Sequence, residues 1–343
     1  MNFKVLVEPS GKSFDVEEGE TLLDAALRHG LSFPYGCRDG ACGACKGKVI
    51  SGRINYGKYS SKALSEPEKL AGMALFCKTE PKSDLHIEVQ EVSRIEGIKI
   101  KNLPCRIENI QRIAHDIILL HLKLPANQRL QFYAGQYIQF LLKDGRRRSF
   151  SIANPPHMDD LIELHIRYVE GGNFTDFIFY EAKPKMVMRI EGPFGNFYLR
   201  ENSPRPIILI AGGTGFAPLK SFIEHAFYIE LNYPIYLYWG VRAKRDLYMD
   251  SLARLWEEQY TNFHYIPVLS EPLDEDQWTG RTGLVTNAVL GDFEHLGEFD
   301  IYASGPPTMV YAGRDAFVAK GLPENQYFSD AFEFQAPKPN LDL

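Results

Sequence analysis

The chain has 343 residues, 45% apolar and 24% charged, with a net charge of −6. That is ordinary globular composition, long enough for two or three domains. Lysine and arginine are spread out, with only Arg146, Arg147 and Arg148 clustered, so no basic face for a nucleic acid is expected. No apolar run reaches the ~20 residues that span a bilayer, and MNFKVLVEPSGKSFDVEEGE lacks the apolar core of a signal peptide; a cytoplasmic protein that makes no membrane contact is expected.

In chain order, FKVLV (3–7) and SFDV (13–16) read as two strands joined by a Pro9-Ser10-Gly11 turn. TLLDAALRHG then places Leu22, Leu23, Ala26 and Leu27 on one helical face, with Gly30 suited to the helix end. A glycine- and cysteine-rich loop (35–47) leads into the strands KGKVISG and HIEVQEV. Residues 1–92 thus form a small α+β unit of β-grasp type.

Five cysteines in so long a chain make no disulfide framework. Four of them, Cys37, Cys42, Cys45 and Cys77, follow the plant-type [2Fe–2S] spacing, C-x4-C-x2-C with a distant fourth. Two irons must be approached by thiolates from several directions, so one tight loop supplies three and a remote strand the last. Gly36, Gly40 and Gly43 let the backbone wrap closely and turn N–H groups towards sulfur. Structural zinc sites usually pair two short knuckles, a poor fit to this three-plus-one split. Cys105 stands apart and is expected to pack as a small buried residue.

SRIEGIKIKNLP (93–104) reads as a linker closed by Pro104. From 105 to 203 short strands recur, RIENIQRI, IILLHLKL, YIQFLL, SFSIA, LIELHIRYV and MRIEGPFG, which predicts a small antiparallel β-barrel. Within it, RRRSFSIANPP carries Arg148, Phe150 and Ser151. A guanidinium suits a flavin phosphate, an aromatic ring can cover the isoalloxazine, and a hydroxyl can reach flavin N5. Gly171-Gly172-Asn173-Phe174-Thr175 follows, before a short helix over 174–180, where backbone N–H groups can meet a pyrophosphate.

From 204 to 334 strands and helices alternate: PIILIA, PLKSFIEHAFYIE, IYLYWG, LYMDSLARLWEEQY, FHYIPVL and FDIYASG. This order predicts a parallel α/β sheet covered on both faces. AGGTGFAP (211–218) joins the first strand to its helix, as a nucleotide-binding turn does. The strand ends at Trp239–Arg242 and Ser304–Met309 open on the same edge. Residues 335–343 read as a tail.

Together these motifs, with LPCRI, YAGQYI, IELHIR, WTGRTGLV and FSDAF, make the chain resemble the ferredoxin–NADP reductase superfamily, in the group with an N-terminal plant-type ferredoxin domain. The resemblance implies an oxidoreductase that passes hydride from NAD(P)H to FAD and single electrons through the [2Fe–2S] cluster to a partner protein. That partner is a sugar-nucleotide dehydrase by first preference and an oxygenase component by second; a redox-sensing electron-transfer subunit is a more distant alternative. It makes Cys37, Cys42, Cys45 and Cys77 the cluster ligands. Arg148, Phe150 and Ser151 would hold FAD, Ile166 and Arg167 would line it, and Gly172, Asn173 and Thr175 would meet its pyrophosphate. Gly213 and Thr214 would meet the nicotinamide nucleotide. Two departures stand out: Ser304 lies where many relatives have a cysteine beside the nicotinamide, and Phe150 where tyrosine is usual. Relatives that use NADPH carry a Ser-Arg pair after the third strand; here the pair is Ser270-Glu271, which favours NADH, although Arg242 and Arg245 lie close in sequence. Ser151 and Ser304 are the expected catalytic-site hydroxyls.

Overall fold

A computed structural model of the chain describes residues 2–31, 33–36, 38, 40, 43–61, 63–89 and 98–332. It divides into two compact units, residues 1–98 and 99–343. The first comprises β1 (Phe3–Glu8), β2 (Ser13–Val16), α1 (Leu22–Arg28), β3 (Lys46–Ser51), β4 (Ile54–Asn55), α2 (Glu66–Leu70), β5 (Met73–Leu75), β6 (Glu80–Pro81) and β7 (Leu85–Glu88). Its main sheet runs β2-β1-β7-β3-β5, with β1 parallel to β7 and the other pairs antiparallel, a β-grasp. The Thr21 hydroxyl caps α1 by accepting from Asp24 N, and Gly30 follows the helix at φ +75. The short helix α2 opens with a reciprocal Ser65–Glu68 capping box.

The second unit opens with a barrel: β8 (Lys101–Ala114), β9 (Ile117–Lys123), β10 (Tyr137–Leu141), β11 (Arg147–Ser151), β12 (Ile162–Arg167), α3 (Asn173–Asp176) and β13 (Val187–Phe194). Its six strands run β11-β10-β13-β8-β9-β12, and an Ile152–Leu164 bridge closes the ends. β8 opens at Lys101, inside the stretch read as linker. Pro104 does not end that stretch; it pairs with Arg189 on β13, and β9 joins β8 only from Arg106 onward. A residue with no N–H is tolerated where one side of the strand has no ladder yet. The helix expected over 174–180 is four α-helical residues followed by a π-helical turn, Phe177–Glu181.

A parallel sheet follows: β14 (Ile207–Gly212), α4 (Phe216–Tyr228), β15 (Ile235–Val241), α5 (Asp250–Gln259), β16 (Phe263–Leu269), β17 (Arg281–Thr282), α6 (Val285–Asp292), β18 (Asp300–Gly305), α7 (Pro307–Ala319) and β19 (Tyr327–Ala331). The order is β17-β16-β15-β14-β18-β19. Every residue of the central strands β14 and β18 is buried, as strands covered on both faces require. Among the described residues no helix is long and apolar enough to cross a membrane.

Candidate functional site

Cys45 closes the cysteine loop where β3 begins, and Cys77 follows β5. Pairing of Lys46 with Leu75, with Phe76 N donating to Cys45 O at 3.1 Å, brings these two cysteines together from distant parts of the sequence. Both side chains are buried. Gly40, at φ +75, lies so close to its neighbours that a Cβ there would fall 2.8 Å from Lys78 Cγ and 3.1 Å from Lys58 O. Cys37 and Cys42 lie outside the described residues. Cys105 is buried in the barrel core, as expected of it.

On the barrel, β11 alternates as expected, with Ser151 buried and Arg148 and Phe150 half-buried. The Phe150 ring is held by Phe140 and Phe174, at centroid distances of 5.8 and 5.4 Å. Arg148 Nη1 donates to Arg147 O at 2.8 Å. Gly172 and Asn173 form the opening of α3. The Thr175 hydroxyl turns back onto its own loop, within 3.0 Å of Val169 O and 2.9 Å of Gly172 O, and accepts from Val169 N. Its visible work is to shape the turn. Ile166 is wholly buried in the barrel core, which leaves its backbone as the part that can face a ligand. Arg167 reaches further than expected. Its Nε donates to Asp116 at 2.7 Å, and its Nη1 lies where a Cβ on Gly213 would come within 2.6 Å. The barrel therefore touches the nucleotide turn directly.

That turn is a 3-10 turn, Gly213–Gly215, between β14 and α4. A side chain at Gly215 would strike the Ser304 carbonyl at 1.9 Å, so only glycine lets the turn lie on β18. Trp239 Nε1 donates to Gly213 O at 2.9 Å, and the Trp239 ring stacks on Phe216 at 4.0 Å. Thr214 is half-buried. Ser304 is fully buried, and its hydroxyl has no hydrogen-bond partner among the described residues. An unsatisfied buried hydroxyl costs about 1–3 kcal/mol, and a polar ligand atom in the turn would remove that cost. In register with Ser304 on the next strand is Asp330, itself buried, whose Oδ2 accepts from the Ser151 hydroxyl at 3.4 Å. Thus an aspartate that the sequence leaves without a role bonds one of the two serines expected at the reaction centre and stands in strand register with the other; its only signal was the FSDAF run. At the outer edge, Glu271 N donates to Arg242 O at 2.8 Å. Both side chains are exposed, so the two residues expected to pull coenzyme choice in opposite directions are neighbours.

Deeper, between barrel and sheet, lies a buried charged cluster that sequence reasoning missed. Lys220 on α4 meets Glu163 Oε1 at 3.1 Å and Glu224 Oε2 at 2.9 Å. Glu163 also meets His165 Nε2 at 3.0 Å and His121 Nε2 at 3.4 Å. Burial works to raise the Glu163 carboxyl, but hydrogen bonds from His121 and His165 and the Lys220 charge overcome it and hold it well below the usual carboxylate range. Burial lowers the His165 imidazole, keeping it neutral, despite the pull of Glu163. With Nε2 donating to Glu163, Nδ1 accepts from the Tyr248 hydroxyl at 2.9 Å.

Three family models match the chain: the 2Fe-2S iron-sulfur cluster binding domain over residues 5–82, the oxidoreductase FAD-binding domain over 104–198 and the oxidoreductase NAD-binding domain over 209–315. Over 332 residues, 97% of this chain and 99% of the other, it is 41% identical to CDP-6-deoxy-L-threo-D-glycero-4-hexulose-3-dehydrase reductase of Yersinia pestis. The chain belongs to the iron–sulfur flavoprotein reductases. This reductase is also 33% identical, over 97% of its length and 98% of the other's, to terephthalate 1,2-dioxygenase reductase component 1 of Comamonas sp.. Its fold is similar to that of the Amycolatopsis cytochrome P450 reductase GcoB, with a TM-score of 0.80, 32% identity and coverage of 96% and 98%. It is an NAD(P)H-dependent oxidoreductase that uses a [2Fe–2S] cluster and FAD to deliver electrons to a partner protein. The residues present fit that set: buried thiols at the cluster loop, a half-buried aromatic and guanidinium on β11, and an unsatisfied hydroxyl beside the glycine turn.

Proposed function

We propose that this reductase takes hydride from NADH and serves a CDP-4-dehydro-6-deoxyglucose dehydrase in the cytoplasm. The likeness that carries the choice of partner is the 41% identity, over 97% of the chain, with a CDP-hexulose dehydrase reductase. When bound, FAD supplies conversion of a two-electron hydride into single electrons, which the [2Fe–2S] cluster relays.

In this reading residues 1–92 are the ferredoxin domain, 105–203 the FAD barrel and 204–334 the nucleotide domain. Cys37, Cys42, Cys45 and Cys77 ligate the cluster. Arg148 holds a flavin phosphate and Phe150 packs on the ring. Ser151, its hydroxyl steadied by Asp330, faces N5. Arg167, Gly172 and Asn173 support the flavin, and Thr175 shapes the turn they share. Gly213 and Thr214 receive the nicotinamide nucleotide, and Ser304 offers it a hydroxyl. Glu271 stands where a 2′-phosphate would lie, which favours NADH.

A second reading, service to an oxygenase, is favoured by the 33% and 34% identity to reductase components of terephthalate 1,2-dioxygenase and phenol 2-monooxygenase. Mixing the purified reductase with NADH and each class of partner separates the two. CDP-hexulose dehydrase turnover that depends on the reductase is expected. Turnover supported only with an oxygenase component would overturn the choice of dehydrase.

A further inference from the structure

Helix α4 begins at the glycine turn, and one helical turn further on it is bolted to the barrel by two adjacent side chains. Lys220 Nζ reaches Ala153 O at 3.4 Å and Ser221 Oγ donates to Asn154 O at 2.8 Å. Those carbonyls lie two and three residues beyond Ser151. Lys220 also binds Glu163 on β12, the strand that carries Arg167 to Gly213. Asn154 ties β12 in as well, since its Oδ1 accepts from Glu163 N at 2.8 Å. Lys220 and Ser221 are both buried, at 6% and 0% exposure.

We infer that Lys220, with Ser221, is a positioning residue that fixes the glycine turn at a set distance from the flavin strand and so governs hydride approach. The inference goes beyond the proposed function but rests on its placement of the nicotinamide nucleotide at Gly213–Thr214. Both halves of the reacting pair hang from the clamp by a few residues: Gly215 to Ser221 on one side, Ser151 to Asn154 on the other. Charged hydrogen bonds suit this task because they are directional, whereas apolar packing allows sliding. An ammonium between two carboxylates has one comfortable position. Misplacement of reacting atoms by about 1 Å is enough to cost roughly 100-fold in rate.

The test is Lys220→Met and Lys220→Arg in the full-length, cofactor-loaded protein. Lys220→Met should keep FAD and cluster content, yet its limiting rate of flavin reduction by NADH should fall roughly 10- to 100-fold. The NADH dissociation constant should change much less, and the isotope effect with 4-deuterated NADH should rise. Lys220→Arg should recover most of the rate. In flavin-free protein, amide hydrogen exchange across 213–222 should quicken in Lys220→Met. A rate per bound flavin within about twofold of wild type, accompanied only by a lower melting temperature, overturns the inference. Should Lys220→Met not fold, Ser221→Ala removes the second tie without stranding a charge; an unchanged limiting rate and unchanged exchange there overturn it equally. If NADH fails to reduce flavin in wild type, the proposed function falls instead, and the exchange comparison still decides the clamp.

Discussion

The first unit keeps its ion pairs near the surface, whereas the second carries charges into its interior. Lys46, next to Cys45, pairs with Glu68 at 2.5 Å and draws its carboxyl down to about 2, and at the end of α1 Arg28 pairs with Glu20 at 2.7 Å. Among the described residues of that unit the one fully buried polar side chain is Thr79, satisfied by Leu75 O. The second unit buries Lys220, Asp246, Asp300 and Asp330, with the neutral His165 beside Lys220's partner Glu163. The contrast follows from how each cofactor is held. Metal–thiolate bonds fix a cluster by themselves, so its surroundings need only pack. A hydride donor and acceptor are held by different parts of the chain, and directional buried contacts must set their separation.

The largest effect that could break this comparison is at the cluster. Cys77→Ser should abolish the cluster's optical signal and cut NADH-driven cytochrome c reduction by ~100-fold or more, leaving the two-electron reduction of dichlorophenolindophenol within about twofold. Equal loss of both activities would mean that the hydride site depends on the cluster after all. Ser151→Ala should act in the opposite sense, keeping FAD and the cluster while slowing flavin reduction roughly 10- to 100-fold in stopped-flow traces. An unchanged trace would remove the Ser151–Asp330 pair from the reaction centre.

The smallest effect lies at the exposed rim, where neither a metal nor a buried network helps. One like-charge repulsion there is worth ~1 kcal/mol, roughly a fivefold preference. Wild type is therefore expected to show the higher kcat/KM with NADH, and Glu271→Arg to shift towards NADPH with unchanged cluster content. A wild-type preference for NADPH would hand the phosphate to Arg242, the neighbour joined to Glu271 through the backbone.

Legibility in sequence divides along the same line. Thiolate chemistry forces a spacing onto the chain, so the cysteine pattern could be read directly. The barrel and sheet strands could be read because alternation and apolar runs are local signals. Asp330 could not, because β19 is a short edge strand whose Ser329 and Asp330 break the apolar pattern. Glu163 and His165 sit at alternate positions of IELHIR, where polar residues imply solvent; the fold lays α4 there instead. Lys220 finds Glu163 across a separation in sequence that no periodicity encodes. Pro104 misled for a local reason, since proline reads as a break until the one-sided ladder at the start of β8 is seen. The Ser65–Glu68 capping box was readable, but the helix it opens has only five residues.

Cys105 has a practical consequence for bench work. Burial pushes its thiol up to about 12, so at neutral pH it is overwhelmingly protonated as well as shielded. Alkylating reagents such as maleimides need an accessible thiolate. Of the five cysteines, the one outside the C-x4-C-x2-C…C pattern is thus silent in the folded protein. Thiols that become labelled when the metal is stripped under native conditions can be assigned to the cluster without first engineering a background cysteine away.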